Sequence, residues 1–126
     1  MILVDTDVLI WNLRGNENAA VLLDSQSALA ISAVSYMELV QGLRNKQEMQ
    51  ALRKALHFWS AEIIHINEAI SARACFLMEE HALGDSLQLA DALIGATALE
   101  YGLELHTANV KHYRKISGMI LRRFRP

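Results

Sequence analysis

The sequence predicts an α/β fold, a three-layer α/β/α sandwich whose mostly parallel central sheet has four to five strands. Three observations carry this expectation. Short apolar runs rich in β-branched residues recur along the chain, each too short for a helix and each read as a strand buried on both faces. Segments with apolar residues at helical spacing separate them, and strands alternating with helices signal a parallel sheet covered on both sides. The length of 126 residues, with 52% hydrophobic residues, 21% charged residues and a single proline, suits one domain over residues 1–126. No linker, repeat or low-complexity tract divides the chain.

The elements follow in order. Ile2 to Val4 is a strand that stops at Asp5. Asp7 stands where it can cap a short helix through Trp11, and Arg14-Gly15-Asn16 breaks that helix. Glu17 to Leu23 reads as a second helix and Leu29 to Ser32 as the second strand. Val34 to Leu43 has helical spacing until Gly42 and Asn45, and Gln47 to Trp59 continues as an amphipathic helix. Ile63 to Ile66 reads as a third buried strand. A long helix follows from about Asn67 to His81 with a break at Gly84, and Ser86 to Tyr101 is an alanine- and leucine-rich helix stopped by Gly102. Leu103 to Thr107 is a fourth strand, and Met119 to Arg122 a fifth on the edge.

Charge is polarised along the chain. Residues 1–104 hold six basic and all fourteen acidic residues, a balance of −8, whereas residues 105–126 hold Lys111, Arg114, Lys115, Arg122, Arg123 and Arg125 and no acid, a balance of +6. A basic end beside acidic chemistry suits a polyanionic substrate, although such a tail is equally able to pair with a partner's acids. Cys75 is the only cysteine, so no intramolecular disulfide forms, which is compatible with a reducing cytosol; its apolar helical context reads as a buried structural thiol. The first strand begins at residue 2 and no apolar run is long enough to span a bilayer, so a cytoplasmic location is expected.

Three acids stand out by position. Asp5 ends a buried strand, which in an open α/β sheet delivers it to the crevice where ligands bind. Glu38 lies on the second turn of the helix after the second strand, among Tyr36, Met37, Leu39 and Val40, in a helix read as otherwise well buried; Ser35-x-x-Glu38 also fits a capping box, a purely structural role. Asp91 is alone in an apolar helix, shares a face with Gly95 and Ala98, and has no basic residue on its own helix to offset it, with Asp85 and Ser86 better placed as caps. A metal ion would resolve that cost. Beyond the fourth strand, Thr107 and Asn109 could hydrogen-bond a phosphate or order a metal's waters, with Lys111, Arg114 and Lys115 nearby for backbone charge. The same Thr and Asn are also ordinary turn formers, and His112 could be a ligand, a general acid or a surface ring. His57, His65, His81 and His106 show no paired spacing of a zinc site.

Taken together, Leu3-Val-Asp5-Thr-Asp7-Val-Leu-Ile, Ser32-x-x-Ser35-x-x-Glu38-Leu-x-x-Gly42, Leu89-Ala-Asp91-Ala-Leu-Ile-x-Ala96-Thr-Ala and Leu105-x-Thr107-x-Asn109-x-Lys-His112-Tyr113 resemble the PIN-domain nucleases, most closely the VapC-type ribonuclease toxins of bacterial toxin–antitoxin pairs. The resemblance covers essentially the whole chain in order. It implies a Rossmann-like fold, Mg²⁺- or Mn²⁺-dependent RNA cleavage, a homodimer and a small antitoxin partner. It makes Asp5, Glu38 and Asp91 the metal-binding and catalytic acids, with Thr6, Thr107, Asn109, His112, Lys111 and Arg114 supporting them or contacting substrate. One departure is His112, which stands where the family often carries a further acid and puts a second metal in question. Two rival readings are a PIN module that binds RNA or a partner without cutting, and a haloacid-dehalogenase-type phosphatase with Asp5 as nucleophile and Asp7 as acid/base. The latter expects Gly-Thr after the second Asp, where this chain has Val8-Leu9.

Overall fold

In a computed structural model describing residues 1–126, five parallel strands run in the order β3-β2-β1-β4-β5, with β1 at Ile2–Val4, β2 at Leu29–Ser32, β3 at Glu62–Ile64, β4 at Glu104–Thr107 and β5 at Ile120–Arg123. Six helices connect them: α1 at Thr6–Leu13, α2 at Glu17–Asp24, α3 at Ala33–Gln41, α4 at Lys46–Phe58, α5 at Glu68–Asp85 and α6 at Leu89–Tyr101. A single 3₁₀ turn at Val110–His112 follows β4. The expected three-layer α/β/α sandwich with a parallel sheet is the fold observed.

Two apolar cores lie on either side of the sheet. One gathers Leu3, Ala30 and Leu105 with Ile70, Ala74 and Leu77 of α5, Ile94 and Ala98 of α6, and Tyr113. The other gathers Val4, Ile31 and Leu29 with Val8 and Leu9 of α1, Leu23 of α2 and Leu52 of α4. Successive residues of β1 point to opposite cores, Leu3 to one and Val4 to the other, both fully buried. This is why the opening run is uniformly apolar instead of alternating. β1 is the central strand, so its carboxyl end opens between the loops after β2 and β4.

Several boundaries differ from the sequence reading, each for a local reason. The N-cap of α1 is Asp5, whose Oδ1 accepts the Thr6 N–H at 2.8 Å, so Asp7 is inside the helix and not its cap. α5 runs through Gly84 to Asp85 and ends on Ser86, which takes the left-handed conformation at φ 56°. A glycine is the usual stop in that conformation, and its absence there disguised the end. α6 consequently starts at Leu89 with Gln88 as N-cap, and neither Asp85 nor Ser86 caps it. Its other end is as expected, with Gly102 left-handed at φ 62°. β3 is an edge strand in which only Ile64 is buried, not a strand covered on both faces. Cys75 is exposed, since Ala74 and Leu77 already supply the inward face of α5 and a neighbouring position is rotated by about 100° around the helix. α3 buries Leu39 but leaves Met37 and Val40 exposed, so it is less buried than its composition suggested. No helix is long and apolar enough to cross a membrane.

Candidate active site

The pairing of β1 with β4 sets the site. Val4 lies opposite His106 and the Asp5 N–H donates to the His106 carbonyl at 2.9 Å, which carries Asp5 alongside Thr107 one step further on. Thr107 Oγ1 donates to Asp5 Oδ2 at 2.8 Å. Asp5 is thereby only 6% exposed and fixed at both oxygens. Burial, then the neighbouring Asp7 charge, push its carboxyl up to about 6, against the pull of the hydrogen bonds it accepts.

Asp91 arrives from α6. At the third helical position it accepts the Gln88 N–H at 3.3 Å, so it does take part in a capping box, while its other oxygen faces the centre. What joins it to Asp5 is Tyr113, whose hydroxyl lies 2.9 Å from Asp5 Oδ2 and 3.4 Å from Asp91 Oδ1. Gly95, one turn after Asp91, faces the same contact. A Cβ there would stand 3.4 Å from Ile116 Cδ1 and 3.8 Å from Tyr113 Cδ1, so this face of α6 packs closely on Ile116 and the Tyr113 ring. Burial and the charges of Asp5 and Asp91 raise the phenol's proton affinity well above its ordinary value, which keeps it a donor. The exposed His112 ring of the 3₁₀ turn is the nearest side chain on Asp91's other oxygen, with Nδ1 3.6 Å from Asp91 Oδ2.

Glu38 comes from the other side. Thr6 Oγ1 donates to Glu38 Oε1 at 2.7 Å and lies 2.8 Å from Ser35 Oγ. Ser35 therefore serves Thr6 and does not cap α3, whose N-cap is Ser32. Thr6 thus touches both acids, Asp5 through its amide and Glu38 through its hydroxyl.

Asp7 has a role that the sequence reading missed. Its Oδ2 accepts from the Ala108 N–H and from Asn109 Nδ2, both at 3.0 Å, so it clamps the loop after β4. Asn109 is committed to Asp7 in this arrangement, and an acid so engaged is unlike the free acid/base that the phosphatase reading requires. Burial raises the pKa of Asp7, while these donors oppose the shift. Asp7 Oδ1 is buried with no hydrogen-bond partner. The only hint in the sequence was the presence of two acids flanking one threonine.

Lys111, His112 and Arg114 line a cavity of about 540 Å³ between the end of α5 and the 3₁₀ turn, which adjoins Asp91 through two of its lining residues, Gln88 and His112. Lys115 borders it too but is paired with Asp85 at 3.1 Å.

No three His, Cys, Asp or Glu side chains converge on one point. The acids are instead joined in pairs through hydroxyls, Asp5 to Asp91 by Tyr113 and Asp5 to Glu38 by Thr6. The donor set nevertheless fits a hard divalent cation. Its three acids offer only carboxylate oxygens, and a further buried carboxylate oxygen, Asp7 Oδ1, stands without a partner two residues from Asp5, whose own carboxyl is raised by burial and by the Asp7 charge.

A parallel α/β/α domain with acids gathered at the carboxyl end of its central strand is the architecture of the PIN domain, and the PIN domain family model matches residues 2–117. The chain belongs to that family. It is 38% identical over 117 residues to Ribonuclease VapC10 of Mycobacterium tuberculosis strain H37Rv, covering 90% of this chain and 86% of the relative. Among solved structures it is similar to a toxin–antitoxin complex from Klebsiella pneumoniae, with 33% identity, a TM-score of 0.75 and 95% and 96% of the two chains covered. DNA-bound VapBC from Salmonella typhimurium shares the fold at a TM-score of 0.81 with 20% identity, covering 99% of this chain and 100% of that one.

Proposed function

We propose that the chain is a Mg²⁺- or Mn²⁺-dependent endoribonuclease, the toxin of a type II toxin–antitoxin pair held in check by a small antitoxin protein. The observation that carries this is the meeting of Asp5 and Asp91, 86 positions apart in sequence, on one buried hydroxyl at the carboxyl end of the sheet. The ribonuclease and toxin–antitoxin relatives support the reaction class and the partner.

Asp5 and Asp91 would hold the cation, with Glu38 binding it directly or orienting a water. The bound ion supplies an activated water for in-line attack on phosphorus and offsets charge in the transition state. The protein's own residues do the rest. Thr107 and the Thr6 amide fix the Asp5 rotamer, and the capping bond from Gln88 fixes that of Asp91. Thr6 holds Glu38 toward the centre. Lys111 and Arg114 take flanking phosphates of the RNA strand in the cavity beside Asp91, and His112 lies between that cavity and the acids. These are contacts to the backbone, so selectivity comes from RNA shape or loops and not from base reading at this surface.

The test is cleavage of single-stranded RNA by chelator-treated protein resupplied with Mg²⁺ or Mn²⁺. Cutting that depends on the added ion and disappears in Asp5→Asn and Asp91→Asn is the expected result. Metal-loaded protein that binds RNA without cutting it would overturn the reading in favour of a binding module, and a trapped phosphate ester on Asp5 would favour a phosphatase. Sequencing RNA ends after induction in cells identifies the target.

A further inference from the structure

We propose that the Tyr113 hydroxyl stands in for the cation in the metal-free protein and so sets how tightly the acidic centre binds metal. This rests on the reading of Asp5 and Asp91 as the cation's ligands.

A phenol carries one proton, yet here it faces two carboxylates, Asp5 Oδ2 at 2.9 Å and Asp91 Oδ1 at 3.4 Å. It can donate to one of them at a time, and the shorter distance assigns the proton to Asp5. Asp5 Oδ2 also accepts from Thr107, so two donors already engage that oxygen. The hydroxyl thus partly fills, with a positive hydrogen, a gap between like charges that a cation would fill better. The ring is fully buried in the core that includes Ile94, Ala98 and Ile116, and this packing holds the phenol oxygen between the two acids.

A cation bound between Asp5 and Asp91 must therefore compete for oxygen lone pairs that Tyr113 and Thr107 occupy. It also gains less from relieving repulsion that the hydroxyl has already relieved. Removing the oxygen while keeping the ring reverses both effects. Tyr113 is in this sense a positioning residue that acts through Asp5 and Asp91.

The experiment compares wild type with Tyr113→Phe after chelator treatment. It measures Mn²⁺ affinity by calorimetry and by the paramagnetic resonance signal of free Mn²⁺, and melting temperature with and without Mn²⁺. Tyr113→Phe is expected to bind Mn²⁺ roughly tenfold more tightly, the equivalent of one hydrogen bond to a charged group, while its metal-free form melts lower and its loaded form melts near wild type. Thr107→Val, which removes the other donor to Asp5 but leaves Asp91 untouched, is expected to show a smaller gain in affinity. A tyrosine with a merely structural role would loosen the site on removal, so unchanged or weaker Mn²⁺ binding in Tyr113→Phe overturns the inference. Two failures remain distinguishable. If wild type itself binds no Mn²⁺, the metal reading falls and this inference with it. If wild type binds Mn²⁺ and Asp91→Asn does not, while Tyr113→Phe matches wild type, only the inference falls.

Discussion

Asp5 and Glu38 both bond to Thr6, yet the chain holds them in opposite ways. Asp5 ends the central strand, is almost fully buried, accepts from Thr6, Thr107 and Tyr113, and is kept proton-hungry by its surroundings. Glu38 sits on the exposed side of α3 with a single donor, the Thr6 hydroxyl. A strand end supplies a carboxylate with no freedom, at a cost in stability. A helical position beside solvent supplies one that can swing toward a ligand or a water at little cost. The two acids should therefore respond differently to the same neutralising change.

The largest effect is expected at Asp5. Asp5→Asn should lower RNA cleavage by about 100-fold or more, at or beyond the loss seen when a residue that only orients a metal ligand is removed. It should also raise the melting temperature of the metal-free protein at pH 7.5, because it removes a buried charge in an acidic neighbourhood. Loss of activity together with a fall in metal-free stability would mean that Asp5 is mainly a structural cap for α1. Asp91→Asn should behave in the same way, since Asn keeps the acceptor for the Gln88 amide.

A smaller effect is expected in the pH dependence of stability, and it has a definite sign. The Asp5 carboxyl lies at about 6 when folded, above its ordinary 3.8. Between those values the folded state binds more protons than the unfolded one, so this group makes stability fall as pH rises through that window and leaves it lower above pH 6. The shift sets a ceiling of about 3 kcal/mol on the contribution. Denaturant titrations of metal-free wild type and Asp5→Asn from pH 4 to 7 should diverge with rising pH, the variant becoming the more stable. Parallel curves would remove Asp5 from the acid-sensitive groups. Saturating Mn²⁺ should flatten the wild-type difference near neutral pH, because ligation favours the ionised carboxylate.

Glu38→Gln is expected to be milder still in stability and intermediate in function. Cation affinity should weaken about tenfold. Unfolding free energy should stay within about 0.5 kcal/mol of wild type, because Gln retains an oxygen for Thr6 and the site is exposed. A stability change as large as that of Asp5→Asn would erase the distinction drawn between a fixed acid and a mobile one.

The same contrast explains which parts of the molecule were legible in the sequence. β1 and β2 were placed to the residue, Ile2–Val4 and Leu29–Ser32, because strands in the middle of a parallel sheet are apolar on both faces and end abruptly at polar residues. β3 was overextended because an edge strand has one face open and its apolar residues run on into a loop, where Ile66 is exposed. Asp5 was visible because it ends an apolar strand, and Glu38 and Asp91 because each stands among apolar neighbours on its helix. The groups that connect them were not. Tyr113 stood in the sequence only as the last residue of the motif after the fourth strand, and nothing local reveals that its hydroxyl crosses to Asp5, 108 positions earlier. Asp7 read as a cap because Asp near a helix start usually is one, whereas the cap was the residue two positions before it.

The smallest expected effect separates the two groups of cations in the basic end. Lys111 and Arg114 border the cavity next to Asp91, and neither forms an ion pair with an acid of this chain. Arg122, by contrast, lies 3.5 Å from Glu104 on the edge of the sheet, beyond the acidic centre. The sequence set Lys111 and Arg114 apart by their place after Thr107, and the neighbours of each cation sharpen that division. Replacing Lys111 or Arg114 with alanine should reduce the slope of log affinity against log salt by about 0.7 per residue for single-stranded RNA, one phosphate contact each. Arg122→Ala should change it by much less than that, because Glu104 already offsets part of its charge. Equal changes at all three positions would show that RNA is held by the diffuse field of the basic end. The cavity beside Asp91 would then have no special part in orienting the strand.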